Sequence, residues 1–201
     1  MRRYFGLSLY AAGGLMLSFS AGRYVAGAFD AQRARETWNS AEAKVRVALS
    51  RSANRQRAVK TVIDDGAPVA RLVIPSIDLD EIVLEGADEL NAGPGHVMDT
   101  PFPGEGGNSV ISGERDRAFS HLDALVPGDT VVTESGLAHD TWIVIAKRIV
   151  GRDDHIVASK SDTALTLTTS WPIRYVGPAP ERLIVTATRL ARSAAPVAPT
   201  H

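Results

Sequence analysis

The sequence predicts an all-β domain preceded by a helical N-terminal region, and three observations carry that expectation. From Val69 onward the chain breaks into short apolar runs separated by Gly, Pro, Asn, Asp and Ser, the punctuation of strands joined by turns. Within those runs β-branched residues recur with a period of two, as in Leu165-Thr166-Leu167-Thr168, a pattern suited to a pleat. Ahead of Val69, residues 29–60 hold strong helix formers and neither Gly nor Pro. Seven or eight short strands in a domain of roughly 120 residues fit a closed barrel or a sandwich.

Met1-Arg2-Arg3 is followed by nineteen uncharged residues, Tyr4 to Gly22, closed by Arg23. That is about the length of a membrane-spanning helix, and the leading arginines favour a cytoplasmic N-terminus with the remainder exported. The favoured expectation for 1–28 is an uncleaved signal anchor. The run is rich in Gly, Ser and Ala, so a secretory signal peptide cut near Ala21-Gly22 or Ala26-Gly27-Ala28 stays open beside it, as does a buried soluble helix. The anchor reading implies a single-pass protein of the cytoplasmic membrane, in contact with lipid through its N-terminal helix, with its β domain on the extracytoplasmic side.

Residues 29–66 read as a helical stalk. Between Glu42 and Asp64 every charge is positive: Lys44, Arg46, Arg51, Arg55, Arg57 and Lys60. Such a stalk can touch anionic headgroups, although a solvated spacer helix is the simpler expectation. Gly66-Ala67-Pro68 closes it and opens the β domain, assigned to 67–191.

Candidate strands are Val69–Ile74, Ile77–Leu84, Ser109–Ser112, Thr130–Glu134, Thr141–Val150, Ala164–Thr169 and Arg182–Arg189, with Ser135-Gly136 as a hairpin turn. Asn91 to Gly107 holds five glycines and three prolines and reads as one long loop. Ala118 to Val126 has room for one or two helical turns. The last stretch, 192–201, lacks periodicity and reads as a disordered tail.

Composition narrows the chemistry. A net charge of -1 gives no reason to expect a nucleic-acid partner. With no cysteine, thiolate catalysis, disulfides and Cys-based metal sites are excluded. The five histidines, His96, His121, His139, His155 and His201, lack metal-site spacing, so neither a metal nor another cofactor is expected.

The stretch most suggestive of a site is Thr166 to Val185. A strand ends at Ser170. Pro172, Pro178 and Pro180 force a loop, and Arg182 opens the next strand, so Ser170 and Arg182 are expected at adjacent strand ends. Thr166-Leu167-Thr168-Thr169-Ser170 resembles the TLxTC active-site signature of sortases, the cysteine transpeptidases that attach surface proteins. Further along the chain, Ile74-Pro75-Ser76-Ile77, Gly93-Pro94-Gly95-His96, Pro103 to Asn108, Phe119 to Leu125, and Pro127-Gly128-Asp129 resemble sortase motifs of the class D and Gram-negative type. They fall in family order between about Arg71 and Leu190. The resemblance implies the eight-stranded sortase β-barrel and a sorting-signal peptide as partner. It also implies an active site at Ser170 (the family cysteine position), Glu114 (the family histidine position, where SGHRD reads Ser112-Gly113-Glu114-Arg115-Asp116) and Arg182. Thr169 and His96 are implied as substrate-binding residues.

Two of those three positions depart from the family. A serine hydroxyl needs a general base before it attacks a carbonyl, whereas a thiolate does not. A carboxylate is a poor proton acceptor near neutral pH and has no proton to give a leaving amine. Losing a nucleophile of this kind typically slows a hydrolytic site on the order of a millionfold. Three functions compete: an inactive sortase relative that binds or regulates, a serine-dependent peptidase or transpeptidase using Ser170, and an envelope structural or interaction module. Glu114 and Arg182 are expected to approach across Ser170 within ion-pair distance, directly or through Ser170 or a water, with Glu114 turned to Arg115 or solvent as the alternative.

Overall fold

The computed structural model describes residues 32–38, 66–86, 92–136, 138–152 and 163–194, with positions 16, 29, 40 and 154. Apart from Met16, the predicted anchor over 1–28 lies outside the described residues; so do the basic run 44–60 and the tail beyond 194. Among the described residues no helix is long and apolar enough to cross a membrane.

The β domain has eight strands: β1 (Pro68–Ile74), β2 (Leu79–Glu85), β3 (Gly95–His96), β4 (Gly107–Ser112), β5 (Thr130–Ser135), β6 (Ala138–Gly151), β7 (Thr163–Trp171) and β8 (Glu181–Ala194). They close into a barrel in the order β1-β2-β3-β4-β7-β8-β6-β5. Closure leaves no open sheet edge, and of the two expected architectures it selects the barrel. The β2–β3 and β4–β7 pairs are parallel, the others antiparallel.

Alternation fills the interior. Leu165 and Leu167 of β7 meet Leu183, Val185 and Ala187 of β8, Ile111 of β4 and Leu72 and Ile74 of β1. Phe119, Leu122 and Leu125, from the segment between β4 and β5, join the same core and are fully buried. Only Leu122–Ala124 of that segment is helical, a single 3₁₀ turn.

Most expected strands are present, with four differences. Ile77 belongs to a 3₁₀ turn, Pro75–Ile77, not to β2, because Asp78 adopts the left-handed region (φ 52) and restarts the chain. The long loop 91–107 contains a short strand, β3, held between β2 and β4. Strand β8 runs on to Ala194, where the tail was expected from 192, because β6 continues back to Ala138 and pairs with it. The fourth difference concerns the stalk. Residues 32–38 are helical, yet not solvated: Ala34 and Trp38 are buried against Ile82 and Leu84 of β2 and against Ala92. Arg35 reaches the Asp80 carbonyl oxygen and lies 3.4 Å from a Glu81 carboxylate oxygen. The apolar run Ile82-Val83-Leu84 is therefore covered on both faces, Val83 by the barrel core and its neighbours by this helix.

Charged side chains fasten the barrel wall. On β1, Arg71 pairs with Asp80 at 2.6 Å and with Glu134 at 3.2 Å, and its hydrogen bond holds the Asp80 carboxyl below the usual carboxylate range. Asp140 of β6 is fully buried and accepts from Arg192 Nε and Nη2, each at 2.7 Å. Arg189 lies 3.2 Å from the same carboxylate without hydrogen-bond alignment, and its guanidinium stacks over Trp142 at 5.1 Å. Burial lowers the affinity of Arg189 for its proton, while the hydrogen bond to Asp140 strengthens that of Arg192. The two arginines also donate to the Glu105 and Gly104 carbonyls, tying the loop before β4 to β8. Replacing Asp140 with Ala leaves two guanidinium groups facing an emptied site. We expect a loss of about 3 kcal/mol, read as a fall in Tm of at least about 6 °C.

Candidate active site

The site forms at one end of the barrel, where β4 and β7 finish side by side and β8 begins. In the β7–β8 ladder Ser170 stands directly opposite Arg182, as the proline-broken loop between the two strands predicts. Strand β7 is inserted between β4, parallel to it, and β8, antiparallel to it. Its interior positions carry Leu165 and Leu167, which sends the alternate position, Ser170, to the outer side and leaves it exposed.

Glu114 sits just past the end of β4 on a turn that several bonds hold in place. Gly113 N–H donates to the Thr168 carbonyl at 3.1 Å, and the Thr169 hydroxyl donates to the Gly113 carbonyl at 2.7 Å. The Glu114 carbonyl in turn accepts from Phe119 N–H at 3.0 Å and Arg117 N–H at 3.2 Å. Position 113 needs glycine for space: a Cβ there would lie 2.6 Å from the buried Phe119 ring. Such an approach forces the ring or the turn to move.

Glu114, Ser170 and Arg182 line one open cavity of about 250 Å³, together with Arg115, Asp116, Arg152, Gly177, Pro178, Ala179 and Glu181. The three residues expected at the active site are thus brought together. A direct ion pair is not formed: among the described residues no salt bridge joins the Glu114 carboxylate to the Arg182 guanidinium. Chemically, the arrangement offers an exposed hydroxyl, an unpaired guanidinium and a carboxylate, with no imidazole among the lining residues.

The two expected substrate-binding residues lie elsewhere. Thr169 is buried at 3% exposure, on the interior side of β7, and its hydroxyl is spent on Gly113. His96 is buried at 1%, stacked on Phe102 with ring centroids 4.7 Å apart. Its Nδ1 lies 2.8 Å from a Glu85 carboxylate oxygen; Nε2 lies 3.1 Å from the Pro101 carbonyl and 3.0 Å from the Thr100 hydroxyl. With both ring nitrogens engaged inside the fold, His96 fixes β3 and the following loop and is not among the residues that line the cavity.

Sequence reasoning missed the rest of the lining. Arg115 donates through Nη2 to the Tyr175 carbonyl at 3.0 Å and the Gly177 carbonyl at 2.8 Å. Glu181 and Arg152 come from the paired ends of β8 and β6. The available signal was adjacency: Arg115 and Asp116 follow Glu114, and Glu181 precedes Arg182. Among the described residues no group of three His, Asp or Glu side chains is placed to hold a metal.

The chain thus forms an eight-stranded closed barrel with Ser170 and Arg182 at the facing ends of its seventh and eighth strands. Residues 72–190 match the Sortase domain, and the chain belongs to the sortase family. It is 36% identical over 118 residues to Sortase D of Bacillus subtilis (strain 168), covering 57% of this chain. The match spans 60% of that relative's length. Among solved structures, the catalytic domain of B. anthracis SrtD is 33% identical with a TM-score of 0.55, over 65% of this chain and 92% of the other. Sortase C-3 from Streptococcus pneumoniae gives 28% and 0.59, over 85% and 86%. A Clostridium perfringens Sortase D5 transpeptidase, at 22% identity, shares the fold with a TM-score of 0.61, over 78% and 98%.

Because Gly113 carries the turn of Glu114, Gly113→Ala is expected to destabilise the domain by about 1–3 kcal/mol. Thermal melts measure that loss. Chemical-shift changes should extend from Phe119 to Ser170, and a variant with wild-type Tm would remove the packing argument.

Proposed function

We propose that this chain is a membrane-anchored sortase-family protein that binds a sorting-signal peptide in the Ser170–Arg182 cavity without turning it over. One observation carries the reading: the cavity presents Ser170 and Arg182 from adjacent strand ends, while no histidine is among the residues that line it. A bound peptide has Arg182 as a donor for its carbonyls, but Ser170 has no imidazole to take its proton and a leaving amine has none to supply one. Binding is retained where cleavage is lost. The protein then acts by occupying or presenting the peptide, or by regulating an active relative.

A second reading rests on the unpaired Glu114. A carboxylate not tied to Arg182 is free to serve as the base for Ser170, in a serine-dependent peptidase or transpeptidase. The two readings separate on one experiment. Wild-type protein incubated with peptides of the Leu-Pro-x-Thr-Gly pattern should bind them and leave no adduct. A mass shift on Ser170 corresponding to an acyl-enzyme would establish the second reading instead. An envelope module with an idle cavity predicts no binding at all.

The site should also be open to revival. Glu114→His combined with Ser170→Cys supplies a thiolate and a proton donor beside Arg182, so peptide cleavage is expected to appear. Ser170→Cys alone should remain poor, because the Glu114 carboxylate disfavours a neighbouring thiolate. A folded double variant that binds the peptides yet cleaves none would sink the idea that only these two residues block turnover.

The anchor belongs to the same proposal. Its support is the uncharged run Tyr4 to Gly22 behind Arg2 and Arg3. Full-length protein is expected in the membrane fraction with its β domain accessible from the extracytoplasmic side. Recovery of the uncut chain in the soluble fraction would count against it.

A further inference from the structure

We propose that Arg115 is the positioning residue of this peptide site, fixing the β7–β8 loop as a preformed wall of the cavity; the role rests on the peptide-binding reading above. The loop is held firmly at both ends. Trp171 and Ile173 pack against the barrel core at its start. Ala179 is buried near its end, where the Pro180 carbonyl accepts from Arg152 N–H at 3.2 Å. Between those fixed points the chain rises into solvent, and Val176 is fully exposed. Among the described residues, the hydrogen bonds holding Tyr175 to Gly177 are the two from Arg115 Nη2, at 3.0 and 2.8 Å. The same guanidinium lies over the Tyr175 ring, 5.8 Å from its centroid.

Arg115 grips from a rigid base. It follows Glu114 on the turn that Thr168, Thr169 and Phe119 hold against β7, so the arginine ties the loop wall to the turn that presents the carboxylate. Two walls of one cavity therefore move as a unit. One nitrogen serves two carbonyls while the planar group lies over an aromatic ring. A lysine ammonium can reach such carbonyls but has no planar face to lay over the ring.

A second observation concerns the other terminal nitrogen of the group. Arg115 Nη1 is enclosed and has no acceptor, and among the cavity-lining residues it is the only buried polar side-chain atom left in that state. Buried donors are normally paired.

The test compares wild type, Arg115→Lys and Arg115→Ala, using the Leu-Pro-x-Thr-Gly peptide panel and backbone NMR relaxation. In the wild type, residues 175–177 should show rigid order parameters near 0.85, falling below about 0.6 in both variants. Peptide affinity should fall about tenfold in Arg115→Ala and by less in Arg115→Lys. Adding saturating peptide should re-rigidify the loop in the variants, and the barrel strands should keep wild-type order throughout. A merely structural role would lower Tm and loosen the strands without this local signature. If Arg115→Ala fails to fold, Arg115→Lys decides. Wild-type binding that both folded variants match overturns the role of Arg115 alone. Failure of the wild type to bind any peptide of the panel overturns the peptide reading itself.

Discussion

Everything at the functional end of this barrel depends on the register of β7. It is the strand that pairs in parallel with β4 on one side and antiparallel with β8 on the other. Because side chains alternate, a slip of one residue would turn Leu165 and Leu167 outward and drive Ser170 into the core. The leucines prevent that, since their burial against Leu183 and Val185 disappears in any shifted pairing. Hydrophobic packing inside the barrel thus fixes the position of a polar residue outside it. Arg182 follows automatically, as the residue opposite Ser170 across the ladder.

That logic explains what could be read from the sequence and what could not. The Leu–Thr alternation and the prolines after Ser170 were enough to place the serine and the arginine at facing strand ends. Glu114 was legible only through its position in a family motif, and it does occupy the same cavity. The two expected binding residues that do not line the cavity share one cause. His96 and Thr169 sit in motifs, but a motif does not say which way a side chain points, and both face inward. For His96 the decisive partners, Glu85 and Pro101, come from a neighbouring strand and loop. The missing β3 was hidden for a similar reason: two residues between glycines and prolines become a strand only because β2 and β4 flank them.

Charge at the site was the least legible feature. An arginine and a glutamate on two sides of a small hydroxyl suggest a direct pair, yet the cavity holds three arginines and three carboxylates and keeps Glu114 and Arg182 apart. Which charges meet depends on where loops place them, and loops are set by tertiary contacts rather than by local pattern. Arg115 illustrates this. Its acceptors lie 60 and 62 residues further along the chain.

The helix over residues 32–38 adds a mechanical consequence. Trp38 and Ala34 bed into the outer face of β2, and Arg35 bridges to the same strand. Tension applied from the N-terminal side would reach this docking point before the barrel. The load would spread across the seam between helix and β2, whose neighbours β1 and β3 share it by hydrogen bonding. The β7–β8 end, on the other side of β4, would be spared direct strain. The helix thus behaves as a strain relief, like the collar on a cable, and would isolate the cavity's geometry from such a pull.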